Sequence, residues 1–239
     1  MKRPASGMTL LEVVIAVSLL SLLMAGVMTS LRLGISALGR TNTRLMANRR
    51  VAGAQRVLQE QLEGFMPVVA LYAPAPEAPP NTKMPFFQGE PQSMRFVSSY
   101  SLQEAARGLP RILEFQVIPG EGGKGVRLVV NEQLYSGPLA AGFFCLGPGA
   151  DGFRFRPIEI GPRSFVLADR LALCRFSYQE KPPAPADSRW TTVWIAPRWP
   201  AAIRIEMGPL DEEISRLRPV TVTAQIHVNR YPVFEYGDF

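Results

Sequence analysis

Nineteen residues from Val13 to Leu31 pass without a charge. As a helix they rise about 28 Å, close to the ~30 Å hydrocarbon core of a bilayer. No proline stands between Pro4 and Pro67, so the pattern predicts one continuous helix through this stretch. Further along, the apolar positions become one-sided. Val51, Ala54, Leu58, Leu62 and Phe65 recur at steps of three and four residues, which is one face of an α-helix. Arg49, Arg50, Arg56, Glu60 and Glu63 take the other faces, and Pro67 is expected to end the helix. The reading is a stalk, apolar all round at first and amphipathic later, with a globular head on its distal end.

After Pro67 the period shortens to two. Ile112 to Ile118, Val126 to Tyr135, Phe165 to Leu167, Leu171 to Tyr178, Thr192 to Ile195, Ala202 to Met207 and Val220 to Val228 read as strands. The last is the clearest, with Val220, Val222, Ala224, Ile226 and Val228 alternating with polar residues. Two proline-rich stretches, Pro74 to Pro91 and Lys181 to Ser188, read as long loops. Many strands without intervening long helices predict an antiparallel head. The expected fold class is α+β: a long N-terminal transmembrane and stalk helix, then an antiparallel β-rich head.

Composition narrows the chemistry. The chain has 239 residues, 47% hydrophobic and 19% charged, so it is expected to fold. Its 22 prolines are near twice the usual ~5%. Two cysteines and one histidine exclude a disulfide-dense scaffold, a zinc ribbon and sites needing several histidines. The net charge is +6, unevenly spread. From Val13 to Gln59 there is no acid, but there are Arg32, Arg40, Arg44, Arg49, Arg50 and Arg56. The simplest account is a solvated stalk face. Contacts with acidic neighbours, lipid headgroups or DNA are the alternatives. No aromatic residue interleaves the arginines, so bases have no stacking platform, and nucleic acid is not an expected partner.

Glu12 lies at the start of the apolar run. A carboxylate near a bilayer centre costs on the order of 2.5–3.5 kcal/mol, and less near its edge, so it asks for a counter-ion. Cleavage between Gly7 and Met8 would create a free amine four residues away, able to neutralise Glu12 between neighbouring molecules. A secretory signal peptide fits less well: the apolar run is too long and no clean Ala-x-Ala site follows it.

Gly7-Met8-Thr9-Leu10-Leu11-Glu12-Val13-Val14 resembles the leader of type IV prepilins and of type II secretion pseudopilins, with Met8 where phenylalanine is commonest. The resemblance implies a leader at 1–7, a transmembrane and assembly helix at 8–31, its amphipathic continuation at 32–66 and a periplasmic head at 67–239. It implies that prepilin peptidase cuts after Gly7 and methylates Met8, and that Glu12 aligns each subunit with its neighbour. The segments Leu171 to Tyr178, Trp190, Trp194 and Trp199 to Ile205 are similar, more loosely, to the C-terminal region of minor pseudopilin J. That likeness implies a place near a filament tip with I- and K-like minor subunits and the major pseudopilin. The implied location is the bacterial inner membrane, crossed once, with the N-terminus cytoplasmic and the head periplasmic. A minor pilin of a type IV pilus is the near alternative, and a membrane-anchored periplasmic enzyme the more distant one. Charge argues against that orientation. Lys2, Arg3 and the α-amine precede the span, whereas five arginines follow within 20 residues, and the positive-inside rule favours the richer side as cytoplasmic. A large C-terminal domain translocates largely regardless of charge.

Other candidates carry plainer readings. Gly120-Glu121-Gly122-Gly123-Lys124-Gly125 has the spacing of a dinucleotide fingerprint but precedes a strand, so a hairpin loop is expected. His227 falls on the polar side of its strand. Asp211-Glu212-Glu213 read as the start of a helical turn rather than a cation site. Cys145 and Cys174 are either bonded or two buried thiols, and the spacing does not decide. Trp190, Trp194 and Trp199 read as a core or loop-anchoring cluster, with a partner-facing patch as the alternative. No catalytic set can be assembled, and no cofactor or metal is expected.

Overall fold

The computed structural model describes residues 9–73, 81–149, 152–180, 187–210 and 219–227, and for 40–51 the backbone alone. The chain divides into two units, residues 1–47 and 48–239. Helix α1 (Leu10–Glu63) runs through the first and into the second.

In the second unit, α1 stops earlier than the apolar spacing predicts. Gly64 and Pro67 are poor helix formers, and β1 (Phe65–Met66) pairs instead with β5 (Ser93–Ser101). The Ser98 hydroxyl donates to the Gln61 carbonyl at 2.8 Å, and the Ser99 amide donates to Gly64 O at 2.8 Å. The last carbonyls of α1 are thus satisfied by β5, and Phe65 is buried from a strand rather than from a helix.

Among the described residues the main sheet has nine strands, seven of them in the order β1-β5-β6-β7-β10-β12-β13, where β6 is Ala106–Pro119, β7 Val126–Leu134, β10 Phe165–Glu180, β12 Ala202–Pro209 and β13 Val220–Gln225. β4 (Gln88–Gly89) also pairs with β5, and β11 (Arg189–Thr191) with β10. Every pairing is antiparallel. β2 (Val69–Tyr72) with β3 (Thr82–Pro85), and β8 (Cys145–Gly149) with β9 (Gly152–Phe155), make two small hairpin sheets. A short helix, α2 (Pro138–Gly142), precedes β8.

Alternation along the strands gives the sheet two faces. One carries Met94, Phe96, Leu113, Phe115, Leu128, Val130, Phe176, Ile203, Ile205 and Val222, all buried in one cluster with Ala54, Leu58 and Leu62 of α1. The helical spacing that predicted an apolar face therefore does seat α1 in the core. Val97 and Ile112 lie in a second cluster with Val68, Ala70, Tyr72, Phe86, Ala141, Phe144 and Cys145. The close approach of α2 to β2 depends on Gly142, where an added Cβ would run into the Leu71 carbonyl oxygen.

Three expectations about the head need correction. The two strands at 165–167 and 171–178 are one, β10. Its interruption is a pair of register shifts around Ala168, with Arg170 at φ 54°, where β10 passes from pairing with β7 to pairing with β12. The strand at 192–195 is instead irregular chain with one bridge, Trp194 to Gly89, because the sheet partner there is β11. The loop at 74–91 contains β3 and β4, so proline did not prevent pairing; Pro85 ends β3, in a two-stranded sheet. β5, rich in serine, was not foreseen at all. The hairpin at Gly120–Gly125 forms as expected, with Gly122, Gly123 and Gly125 at positive φ.

Candidate functional site

The candidate site is the N-terminal part of α1. Thr9 opens it: the Glu12 amide donates to Thr9 Oγ1 at 3.3 Å and to Thr9 O at 3.1 Å. Thr9 is thus an N-cap, and Glu12 falls in the first turn. A carboxylate there gains about 0.3–1 kcal/mol from the helix dipole. That is less than the ~2.5–3.5 kcal/mol penalty at a bilayer centre, so the local structure does not supply the whole compensation. Gly7 and Met8 lie outside the described residues.

Every described side chain from Thr9 to Gly39 is exposed, including Leu19, Leu22, Leu31 and Leu38. Such a surface calls for lipid or other helices. The stretch Leu10–Gly39 is the one candidate span among the described residues, with 30 residues and an 18-residue window of mean hydropathy 2.5. Its hydroxyls suit an apolar medium because they bond within the helix: Ser18 to Val14 O at 2.7 Å, Ser21 to Val17 O at 2.8 Å, Thr29 to Ala25 O at 2.7 Å and Ser36 to Leu33 O at 2.9 Å. Leu22, Leu23, Gly26, Val27, Ser30, Leu31 and Gly34 line a shallow groove on this surface.

The other candidates are scattered. Cys174 belongs to the main core and Cys145 to the second cluster; both are free and buried. Burial pushes each thiol up to about 12, a shift the Arg95 guanidinium partly opposes at Cys145. Trp194 packs edge-on against Phe87 and Tyr178, and its indole N–H donates to Arg198 O at 2.7 Å. Trp199 is buried, whereas Trp190 is half-buried beneath the Arg204 guanidinium, 3.8 Å from its ring centroid. His227 is exposed. Asp211, Glu212 and Glu213 lie outside the described residues.

Sequence reasoning missed a polar row across the head. Gln88, Arg95, Glu114 and Asn131 are successive cross-strand partners on β4, β5, β6 and β7. Arg95 donates from Nε to Glu114 Oε1 at 2.8 Å, from Nη1 to Gln88 Oε1 at 2.7 Å and from Nη2 to the Arg156 carbonyl at 3.0 Å. Asn131 and Gln133 donate to Glu114 Oε2 at 3.2 and 3.1 Å. The rings of Phe144 and Phe155 lie 4.8 and 5.8 Å from Arg95 Cζ. Burial pulls the Arg95 guanidinium below its ordinary value, and Glu114 opposes the shift. The only available signal was a charge at alternate positions of two segments, which many solvated strands share.

The family described as the prokaryotic N-terminal methylation motif matches residues 2–28. No curated protein matches the chain. The motif supports a type IV pilin-like protein, and the family it marks is structural rather than catalytic. It implies processing by a prepilin peptidase and assembly with other pilin-like subunits. The apolar helix is consistent with a membrane anchor of such a protein.

Proposed function

We propose that the chain is a minor pseudopilin of a type II secretion system, placed near the tip of a pseudopilus with I- and K-like partners. The observation that carries this reading is Glu12, the one acid in the exposed apolar stretch Leu10–Gly39, within the matched motif. Before assembly the helix keeps the subunit in the inner membrane, with the head in the periplasm. Prepilin peptidase removes residues 1–7 and methylates Met8. In the filament, burial among neighbouring helices replaces lipid contact, and the Glu12 carboxylate meets the amine of Met8 on the next subunit. A buried ion pair adds little net stability, but an unmatched one is costly. The pair therefore works as a register device, penalising every axial offset that separates the two charges.

The experiment has two readouts. Mass spectrometry of the mature chain is expected to find N-methylated Met8 as the first residue; any other start removes the processing claim. Glu12→Ala is expected to leave the subunit in the membrane, abolish cross-linking to siblings through α1, and stop protein export. Loss of pilus-dependent motility or DNA uptake with export intact would move the subunit to a type IV pilus. Full function of Glu12→Ala would reduce the helix to an anchor.

A further inference from the structure

Two of the three tryptophans are used inside the head: Trp194 packs on Phe87 and Tyr178, and Trp199 is buried. Trp190 is placed differently. It lies on β11, opposite Gln179 of β10, on the face of the main sheet turned away from the core that holds α1. Alternation puts Arg175 and Ser177 of β10, Arg204 and Glu206 of β12, and Thr221 and Thr223 of β13 on that same face, because the residues between them, Phe176, Ile205 and Val222, belong to that core. Over β5 and β6 this face is covered, and Val97 and Ile112 are buried there in the second cluster. Over β10, β12 and β13 none of the six residues is buried, and Arg175, Thr221 and Thr223 are exposed.

Arg204 and Trp190 stand on opposite sides of β10, since Tyr178 pairs with β11 along one edge and with β12 along the other. The Arg204 side chain therefore crosses β10, where its direct partner is the small Ser177, and its Cζ lies 3.8 Å from the centroid of the Trp190 ring. Stacking fixes the plane of a guanidinium and leaves its N–H edge for hydrogen bonds. Among the described residues Arg204 donates to no acceptor, and its buried Nε is one of the orphaned atoms. The neighbouring acids are engaged elsewhere. Glu206 lies 2.6 Å from Arg175 Nε, and Glu180 is held at 2.7 Å by both Arg189 and Arg198. A cation held in one orientation with its donors unspent is preorganised for a planar anion. One unmatched positive charge matches one carboxylate, whereas a phosphate monoester would bring nearly two negative charges to it. Arginine and tryptophan at the centre of a polar rim is also the anatomy of a protein interface.

We propose that Arg204, stacked on Trp190, anchors a docking face for an acidic segment of another protein, whose Asp or Glu carboxylate accepts two hydrogen bonds from the guanidinium. Ser177, Gln179 and Thr223 border the anchor and offer neutral hydrogen-bonding groups to the backbone of that segment. The assembly reading above uses α1 alone, so this face goes beyond it and is tested apart from it.

The test is nuclear magnetic resonance of the full chain in detergent, carrying nitrogen-15 in its three tryptophans. Each gives one indole N–H signal, and Trp190→Phe assigns the signal of Trp190. The probes are an acetylated and amidated tetraglutamate peptide, its tetraglutamine counterpart and inorganic phosphate. Tetraglutamate is expected to shift the Trp190 signal saturably and to leave those of Trp194 and Trp199 in place. Tetraglutamine is expected to bind at least about tenfold more weakly. Arg204→Lys keeps the charge but not the planar fork, and is expected to lose about tenfold in affinity for tetraglutamate. Arg163→Gln, at an exposed position, is expected to bind like the unaltered chain. No shift at Trp190, or an equal response to the two peptides, overturns the proposal on the unaltered chain alone. Undiminished binding by Arg204→Lys overturns it as well. Displacement of tetraglutamate by equimolar phosphate overturns it in favour of a free-anion site. A Trp190 signal that moves as the chain itself is concentrated, with no peptide present, overturns it in favour of a second copy. Glu12→Ala, which tests assembly through α1, is expected to leave these titrations unchanged.

Discussion

Arg95 and Glu114 face each other across β5 and β6 with Nη2 and Oε1 2.6 Å apart, and neither side chain is more than 4% exposed. Two charges are thus buried together between the sheet and the segment from α2 to β9. Each makes further hydrogen bonds: Arg95 donates to Gln88 Oε1 and to the Arg156 carbonyl, and Glu114 accepts from Asn131 and Gln133. The pair ties residues of β4, β5, β6 and β7 to the backbone just beyond β9. Its worth lies in specifying that docking, since the desolvation of both ions offsets most of their attraction.

Removing one partner is therefore expected to do more harm than removing both. Glu114→Ala should cost about 3–5 kcal/mol by leaving a buried guanidinium unmatched. The double variant Arg95→Met/Glu114→Leu should cost less than that. Denaturant unfolding of the two variants beside the unaltered protein measures the difference, and a double variant worse than Glu114→Ala contradicts the account.

Leu58 is fully buried where α1 meets the sheet. Leu58→Ala should lower stability by about 2–5 kcal/mol, through lost transfer energy and the cavity left behind. Leu19 is exposed in the apolar stretch, so Leu19→Ala should leave head unfolding unchanged. Thermal unfolding followed by near-ultraviolet circular dichroism separates the two.

Gly142→Ala puts a methyl against the Leu71 carbonyl oxygen, a backbone atom that no rotamer change can move aside. The expected loss is about 1–3 kcal/mol or more. It should appear as faster hydrogen exchange in α2 and β2, ahead of β10 and β12.

The thiols give a pH dependence. Cys145 and Cys174 are raised from 9.0 to about 12 in the folded chain, in both cases chiefly by burial. Between pH 9 and 12 the unfolded chain releases protons that the native chain retains, so stability falls as pH rises through that window. The slope is about 1.4 kcal/mol per pH unit for each thiol. Denaturation midpoints of the unaltered protein and of Cys174→Ala, compared from pH 8 to 11, should converge as pH rises. At pH 8 neither thiol should react with a disulfide reagent until the chain unfolds.

Much of α1 was legible because a helix satisfies its backbone within its own segment. The lack of proline, the absence of charge and the recurrence of Ala54, Leu58 and Leu62 are properties of neighbouring residues. Glu12 stood out for the same reason, as one charge against a uniform background. The head was legible only where a strand alternates strongly, as at Val220 to Gln225. β5 was not, since its serines and Arg95 carry no pattern that marks a buried strand, and β10 looked like two strands because a bulge at Ala168–Arg170 breaks its period without ending it.

By itself, then, the sequence determined an apolar N-terminal helix bearing one acid, its turn-by-turn apolar face, and an antiparallel β-rich remainder. Tertiary structure alone decided where that helix stops, which strands adjoin, and that Arg95 meets Glu114 from 19 residues away. The division follows from range. A helical turn is closed by residues four apart, whereas a strand's hydrogen bonds and a buried charge's partner lie on other segments, and only the assembled sheet brings them together.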